Sequence, residues 1–171
     1  MKNFEKKKLN KIWTIEDSIS TYNIDKWGGK YFSINAQGNI SITVKNKSDK
    51  TIDLFNLVKE LKSRELNTPC IIRFNDILKD RINELHEAFS KAIKTYEYEN
   101  IYQGVFPVKC NQQKNLLEKV IEFGSPWNLG LEVGSKSELL IGLGILENKN
   151  SLLICNGYKD KKYIGKDNRV W

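Results

Sequence analysis

An alternation of short apolar runs with helical segments begins at Pro69, and it constrains the fold of this chain more than any other feature. The apolar runs predict strands, and the segments between them carry apolar residues at helical spacing. Strands that alternate with helices favour right-handed βαβ units around a parallel sheet. The predicted fold class is therefore α/β, with strands at 70–74, 102–108, 129–133 and 151–155 and helices at 77–93, 116–121 and 135–141.

Four residues mark the predicted ends of these helices. Asp76 is the expected N-cap of the first helix, and Gly124 is the expected C-cap of the second. Ser135 and Glu138 have the spacing of a capping box at the start of the third, in which each side chain bonds to the other residue's backbone.

The stretch 13–55 predicts short strands and turns. Residues 31–34 and 40–44 flank the loop 35–39, a pattern typical of a β-hairpin with a five-residue loop. Residues 53–64 carry apolar side chains at helical spacing and predict a helix.

The net charge of +7 is carried by the two ends of the chain. Residues 1–12 hold five Lys and one Glu, and residues 156–171 hold four Lys and one Arg against two Asp, so the body between them is neutral. A protein that binds nucleic acid is expected to show a basic face on its folded body. We therefore interpret both ends as solvated tails and predict no nucleic-acid partner.

No segment of the sequence is suited to export or to a membrane. The first twelve residues are charged and contain no apolar core of a signal peptide. The longest apolar stretch, 139–146, contains two glycines and falls short of the roughly 20 residues that span a bilayer. Cys70, Cys110 and Cys155 lack zinc-ligand spacing, so we predict that they are buried small apolar residues in a reducing compartment. A cytoplasmic location is expected.

Lys109 follows the apolar run 102–108 and is the most informative residue of the chain. A buried strand would deliver its amine at the carboxyl end, where α/β barrels place their chemistry. Burial disfavours the charged ammonium, and the neutral amine is the form that condenses with an aldehyde. The structural alternative is a solvated lysine at the edge of a sheet, and Pro107 counts against a central strand because it cannot donate to the ladder.

Around Lys109 the sequence resembles a known family. The match includes the octet Phe106-Pro107-Val108-Lys109-Cys110-Asn111-Gln112-Gln113. This octet resembles the lysine motif of biosynthetic arginine decarboxylases. Enzymes of that family have the alanine-racemase-like fold and use pyridoxal phosphate. Six further segments resemble the same family in the same order, and together they extend the resemblance over roughly 13–164; they are 13–18, 22–28, 31–35, 72–78, 130–136 and 154–160.

The resemblance implies a function and its cofactors. It implies that Lys109 carries pyridoxal phosphate as a Schiff base and that the enzyme converts L-arginine to agmatine and carbon dioxide, in the synthesis of putrescine and spermidine. Magnesium and a homo-oligomeric state are implied by the family alone, and no metal site is visible in the sequence. Decarboxylases of ornithine or diaminopimelate and amino-acid racemases share such a lysine and stay open as alternatives.

Two more residues are implied to lie beside the cofactor. Glu132 is at the strand end where related decarboxylases place an acidic residue, and it could orient the lysine or hold its proton in transit. The alternative is a solvated or capping carboxylate in the strand-to-helix turn. Asn156 is a cofactor-side candidate at the next strand end, and its alternative is a turn residue before Gly157. Cys110 would face away from Lys109 on a regular strand, and His86 is expected to be a surface histidine.

The resemblance also sets the expected domains. We predict a basic tail at 1–12, a hairpin and helix of a β-rich domain at 13–68, the first βα units of a pyridoxal-phosphate-binding (β/α)8 barrel at 69–164, and a tail outside the family pattern at 165–171. The strand 70–74 is assigned to the β-rich domain, which leaves three barrel strands. A complete barrel takes about 250 residues, so the expected barrel is incomplete and the chain alone is expected to be inactive. A non-catalytic remnant or interaction subunit is the alternative from another class.

Overall fold

The computed structural model describes residues 12–43 and 51–167 and divides the chain into two compact units, 1–73 and 74–171. The predicted basic tail, except for Ile12, lies outside the described residues, as do Val44 of the predicted hairpin and residues 168–171.

The first unit is a three-stranded antiparallel sheet with three helices. Its strands are β1 (Phe32–Ile34), β2 (Ile40–Thr43) and β3 (Thr51–Asp53), in the order β1-β2-β3. The register pairs Phe32 with Ile42 and Ile34 with Ile40, which confirms the predicted hairpin. The helices are α1 (Ile15–Tyr22), α2 (Ile24–Trp27) and α3 (Leu54–Ser63), and the last confirms the helix predicted at 53–64.

Residues 15–22 and 24–27 are helical, so the prediction of only strands and turns before the hairpin was wrong. The reason is a capping box at the start of α1. The Asp17 N–H donates to Thr14 Oγ1 at 3.2 Å, and the Asp17 carboxylate accepts the Thr14 N–H at 3.0 Å. These bonds satisfy backbone donors that a helix start leaves unpaired, which stabilises a short helix.

The second unit has a parallel sheet with helices packed on one face. Its strands are β4 (Val105–Pro107), β5 (Gly130–Val133) and β6 (Leu153–Cys155), and its helices are α4 (Asn75–Thr95), α5 (Lys114–Gly124), α6 (Lys136–Ile145) and α7 (Lys161–Asp167). The strand order is β4-β5-β6 and both pairings are parallel. This order confirms the α/β fold and is consistent with part of a barrel whose strands follow one another in sequence.

The core of this unit lies between the sheet and its helices. Leu131 and Val133 point toward the helices, and the residue between them on β5, Glu132, points to the opposite face because side chains alternate along a strand. Helix α6 packs closely at Gly142, where a Cβ would lie 2.9 Å from Leu153 Cδ1 and would require that side chain to shift. The fully or nearly fully buried apolar core consists of Val108, Leu117, Leu131, Val133, Leu139 and Tyr163.

Several local predictions were wrong at element ends. Residues 70–74 form no strand, and β4 covers only the last part of 102–108. Helix α4 begins two residues earlier than the predicted helix, so Phe74 is the N-cap and Asp76 lies in the first turn. Gly124 is the last residue of α5 and has a φ of −83°, not a left-handed value; its glycine is needed because a Cβ there would lie 2.4 Å from Leu129 Cβ.

The cysteine and histidine predictions were also wrong. Cys70, Cys110 and Cys155 are exposed free thiols, because each lies in an irregular segment, a turn or a strand end and not in the core. His86 is 2% exposed. Its ring stacks on Trp127 at 5.2 Å and lies tilted against Tyr102 at 5.2 Å, so aromatic residues distant in sequence cover the helix position that was expected to face solvent.

Candidate functional site

The carboxyl ends of the three parallel strands bring Lys109, Glu132 and Asn156 together, and we call these three residues the strand-end cluster. Lys109 follows β4, Glu132 is on β5, and Asn156 directly follows β6. The register sets Pro107 opposite Glu132, which in turn lies opposite Ile154. The three residues chosen from the sequence therefore meet at one edge of the sheet.

Lys109 lies in a 3-10 turn, Val108–Cys110, and not in the strand itself. Pro107 ends β4, and the turn is closed by the Asn111 N–H, which donates to the Val108 carbonyl oxygen at 3.1 Å. The side chain of Lys109 is 65% exposed, so the expectation of a lysine buried in a strand was wrong. The turn also removes the regular alternation on which the predicted orientation of Cys110 depended. An exposed amine at this edge is accessible to a ligand.

Glu132 is the buried member of the cluster, with a side chain only 8% exposed. Its Oε2 lies 3.9 Å from Lys109 Nζ, at the outer limit of an ion pair. Its Oε1 accepts a hydrogen bond from Asn156 Nδ2 at 3.0 Å. Each carboxylate oxygen thus has its own neighbour, which fixes the rotation of the carboxylate plane and leaves Oε2 directed at the amine.

The end of β6 is held to the end of β5 by its backbone. The Asn156 N–H donates to the Val133 carbonyl oxygen at 2.9 Å. Gly157 follows with a φ of +81°, a left-handed value that favours glycine, and a Cβ there would lie 3.3 Å from the Gly134 carbonyl oxygen. Asn156 therefore both precedes a turn and bonds to Glu132 through its side chain.

Glu138 is a second buried carboxylate near the strand ends, and the sequence pointed to it only as half of a capping box. The Ser135 half forms, since Ser135 Oγ accepts the Glu138 N–H at 3.2 Å. The carboxylate does not return to the Ser135 N–H; its Oε2 accepts the Gly134 N–H at 2.7 Å, and its Oε1 accepts from Gln112 Nε2 at 3.2 Å. The capping prediction was therefore half right, and the contact with Gln112 had no sequence signal.

A charged pair anchors the helix after the cluster. Lys136 Nζ donates to Asp160 Oδ2, and the Tyr163 N–H donates to Asp160 Oδ1 at 2.8 Å at the start of α7. The hydrogen bond from Lys136 lowers the pKa of Asp160 below its usual value, and the bond from the Tyr163 N–H adds to this. Asp160 therefore serves as a cap for α7 and ties it to α6.

Residues 12–43 and 51–167 contain neither a membrane-spanning helix nor a cluster of metal ligands. No helix there has the length and apolar content to cross a bilayer. No three or more His, Cys, Asp or Glu side chains gather there in a way that could hold a metal ion. We therefore assign no step to the magnesium that the resemblance implies.

Comparisons with known proteins bear on the identity of this fold and site. A family model described as the pyridoxal-binding domain of pyridoxal-dependent decarboxylases matches residues 79–169, which extends into the segment 165–171 that we expected to depart from the family. The biosynthetic arginine decarboxylase of Prochlorococcus marinus strain MIT 9215 is 82% identical over 164 residues, which are 96% of this chain and 25% of that protein. That of strain MIT 9303 is 52% identical over 155 residues, which are 91% of this chain and 24% of that protein.

A solved structure gives the same answer for the fold. The crystal structure of the biosynthetic arginine decarboxylase from Campylobacter jejuni superposes with a TM-score of 0.75 and 30% identity, over 85% of this chain and 24% of that one. This chain spans about a quarter of the length of the curated relatives it matches. The comparisons confirm the resemblance seen in the sequence, and because the family model covers more than half of the 171 residues, the chain belongs to the pyridoxal-dependent decarboxylases.

Proposed function

We propose that this chain holds pyridoxal phosphate on Lys109 and serves in the decarboxylation of L-arginine to agmatine and carbon dioxide, a reaction of polyamine synthesis. The observation that carries the proposal is the strand-end cluster, in which an accessible amine lies 3.9 Å from a buried carboxylate that an amide holds in place. The names of the relatives support arginine as the substrate.

The residues present fit pyridoxal phosphate. A covalently held aldehyde needs a primary amine that a ligand can reach, and Lys109 is 65% exposed at the carboxyl edge of a parallel sheet. It also needs the amine to lose and regain protons, which a fixed carboxylate within reach can support. Glu132 meets that need because its Oε2 faces the amine and its Oε1 is already bonded to Asn156.

When bound, pyridoxal phosphate supplies an aldehyde that condenses with a lysine amine, with loss of water, and a ring that accepts the electron pair released when a bond at the substrate's α-carbon breaks. Lys109 reacts through the lone pair on Nζ, so its ammonium form must first give up a proton. Glu132 Oε2 is the acceptor we assign to that proton, and it returns the proton when the lysine is displaced. Its burial keeps bulk water from competing for the same position.

Asn156 acts through Glu132. Its Nδ2–H donates to one carboxylate oxygen and leaves the other free for the amine, so it holds the carboxylate plane at one rotation relative to Lys109. A hydrogen bond from a neutral amide to a carboxylate is worth about 1.5–3 kcal/mol when made within a protein, which is enough to fix this rotation.

The attachment is tested on the chain itself. Purified protein is incubated with pyridoxal phosphate, reduced with borohydride, digested and mapped by mass spectrometry. The expected result is a pyridoxyl group on Lys109 and none after Lys109→Arg, which keeps the charge but removes the primary amine. Lys114→Arg is the matched control, because Lys114 is an exposed lysine five residues later that pairs with Glu118. Labelling of other lysines alone, or none, would refute the proposal and favour the non-catalytic remnant.

The reaction is tested in a chimera. This chain replaces the corresponding segment of the 82% identical Prochlorococcus relative, and agmatine formation from arginine is compared with turnover of ornithine and diaminopimelate. We expect turnover of arginine that disappears with Lys109→Arg. Preference for one of the other substrates would correct the substrate and keep the chemistry.

Two further features belong to the proposal. A cytoplasmic location is supported by three exposed free cysteines, which fit a reducing compartment. A homo-oligomeric state of the protein is proposed from the family alone, and sedimentation of the chimera tests it.

A further inference from the structure

Glu138 is a buried carboxylate outside the strand-end cluster, and its burial calls for an explanation. It is 7% exposed in the first turn of α6, whereas glutamates are almost never fully buried unless they are paired. Two lysines in adjoining segments have other partners, since Lys109 lies beside Glu132 and Lys136 donates to Asp160. Glu138 is held by two neutral donors instead, the Gly134 N–H and the Gln112 side-chain amide.

These two donors come from the two turns that follow β4 and β5, close in the chain to the two reacting groups. Gln112 is three residues after Lys109, in the segment that follows β4. Gly134 directly follows β5 and is two residues after Glu132. One carboxylate therefore bonds to both turns at once, with one oxygen for each.

The positive end of α6 favours a carboxylate at this place. Glu138 lies in the first turn of the helix, where unpaired N–H groups give a partial positive charge. A hydrogen bond to an ionised acceptor is also roughly twice as strong as one between neutral groups. The helix start thus compensates the burial of the charge, and the charge strengthens both bonds.

We infer that Glu138 is a positioning residue that holds the Lys109 turn at a fixed distance from Glu132. The expected effect on cofactor binding rests on the proposed function. The hydrogen bonds from Gly134 and Gln112 to Glu138 do not depend on it. Glu138 is not a catalytic residue, because its oxygens bond to Gly134 and Gln112 and not to the amine. Two other features also connect these segments, namely the short β4–β5 ladder and the burial of Val108 with Leu131 and Val133 in the core.

Glu138→Gln is the sharpest test because it keeps the shape of the side chain. A carboxylate accepts at both oxygens and carries a charge, whereas the neutral amide accepts at one oxygen and can bond to Gln112 only if the Gln112 side-chain amide turns to accept. The amides of Gly134 and Asn111 report on the two turns, since the Asn111 N–H closes the Lys109 turn on Val108. Loss of a hydrogen bond to a charged group should speed the exchange of both amides about tenfold, as measured by NMR on the chain without cofactor.

A second variant removes the contact from the other side. Gln112 is exposed, so Gln112→Ala leaves the buried carboxylate in place and is expected to fold. It should speed the exchange of the Asn111 amide and leave Gly134 protected. Gln113→Ala is the matched control, because Gln113 is the exposed neighbour and makes no side-chain cap bond to α5. Unchanged exchange of the Asn111 amide in both Glu138→Gln and Gln112→Ala would overturn the inference.

Cofactor capture then separates this inference from the proposed function. The pyridoxal phosphate concentration that half-labels Lys109 under borohydride should rise about tenfold in Glu138→Gln, since the amine is no longer held in place. If the wild-type chain labels no Lys109, the proposed function fails while amide exchange still decides the contact. If Lys109 is labelled equally well in wild type and Glu138→Gln, the positioning role is wrong.

Discussion

The strand-end cluster and the surroundings of His86 each bury a titratable side chain, but they differ in whether its polar atoms have partners. In the cluster, both oxygens of Glu132 have a neighbour, the Asn156 amide for one and the Lys109 amine for the other. On α4, His86 is 2% exposed and stacks on Trp127, yet its Nε2 has no hydrogen-bond partner among the described residues. A cavity of about 120 Å³ lies beside it and is lined mainly by apolar side chains.

This difference distinguishes the site for which we propose proton transfer from a site that serves packing. Desolvation of an ionisable group is costly unless hydrogen bonds or charges compensate for it. Around Glu132, the Asn156 amide and the Lys109 amine compensate for the loss of hydration, and each lies at one of the two carboxylate oxygens. Around His86 it is missing, and burial lowers the pKa of the imidazole, which favours the neutral ring. Burial of a titratable group alone is therefore a poor marker of function; the partners of each polar atom are the better one.

The largest effect is expected from Glu132→Gln in the chimera. The amide keeps the shape of the side chain but cannot take the proton that Lys109 releases, so kcat should fall about 100-fold with KM nearly unchanged, a typical loss for a proton-transfer group. Glu118→Gln is the matched control on α5, because Glu118 is half exposed and pairs with Lys114 at the surface. A rise in KM with kcat unchanged would show that Glu132 binds substrate. It would then not be the proton acceptor that distinguishes the strand-end cluster from the surroundings of His86.

A smaller effect is expected from Asn156→Ala. Loss of its bond frees the carboxylate of Glu132 to rotate, and one hydrogen bond to a charged group is worth about tenfold in kcat. Asn148→Ala removes a comparable amide bond, to Asn128, before β6 and should leave kcat unchanged. In the double variant with Glu132→Gln, Asn156→Ala should have no further effect, because it acts through the carboxylate. Full additivity of the two losses would contradict that dependence.

The strand pattern of the sequence indicates Lys109, and the family resemblance implies Glu132 and Asn156 beside it. Lys109, Glu132 and Asn156 each lie at or just past a short apolar run, and parallel strands bring their carboxyl ends to one edge of a sheet. Local sequence patterns gave the wrong prediction where contacts between residues distant in the sequence determine the structure. Residues 70–74 have the composition of a strand, but among the described residues no strand pairs with them. His86 was assigned to the surface because its covering residues, Tyr102 and Trp127, come from later elements.

The turn that carries Lys109 shows a second limit. Proline is a poor residue for a central strand because it cannot donate to the ladder. In the structure Pro107 is the last residue of β4, and the 3-10 turn follows it directly. The exposure of the lysine follows from that turn. Glu138 was visible as a capping residue, but the turn of its carboxylate toward Gln112 depends on how α6 packs beside the Lys109 turn, which no local spacing specifies.

The smallest expected effect concerns pH and stability, and it tests the His86 half of the comparison. Because burial lowers the pKa of His86 below its usual 6.5, the unfolded chain binds a proton more readily than the folded one. Stability from this residue is therefore complete above pH 6.5 and is lost as the pH falls below it, by at most about 1.4 kcal/mol for each pH unit until the folded pKa is reached. Urea unfolding of the chain between pH 5 and 8 measures this.

His86→Phe is the control that isolates the imidazole from its ring stacking. Phenylalanine keeps an aromatic face against Trp127 and Tyr102 but has no group that titrates, so the loss of stability between pH 6.5 and 5 should shrink relative to wild type. Because the imidazole leaves Nε2 unsatisfied, the replacement should also be neutral or stabilising at pH 8, where a buried polar atom without a partner only costs free energy. An equally steep pH dependence in His86→Phe would place the titration elsewhere. A large loss of stability at pH 8 would mean that Nε2 has a partner after all, and the contrast with Glu132 would then disappear.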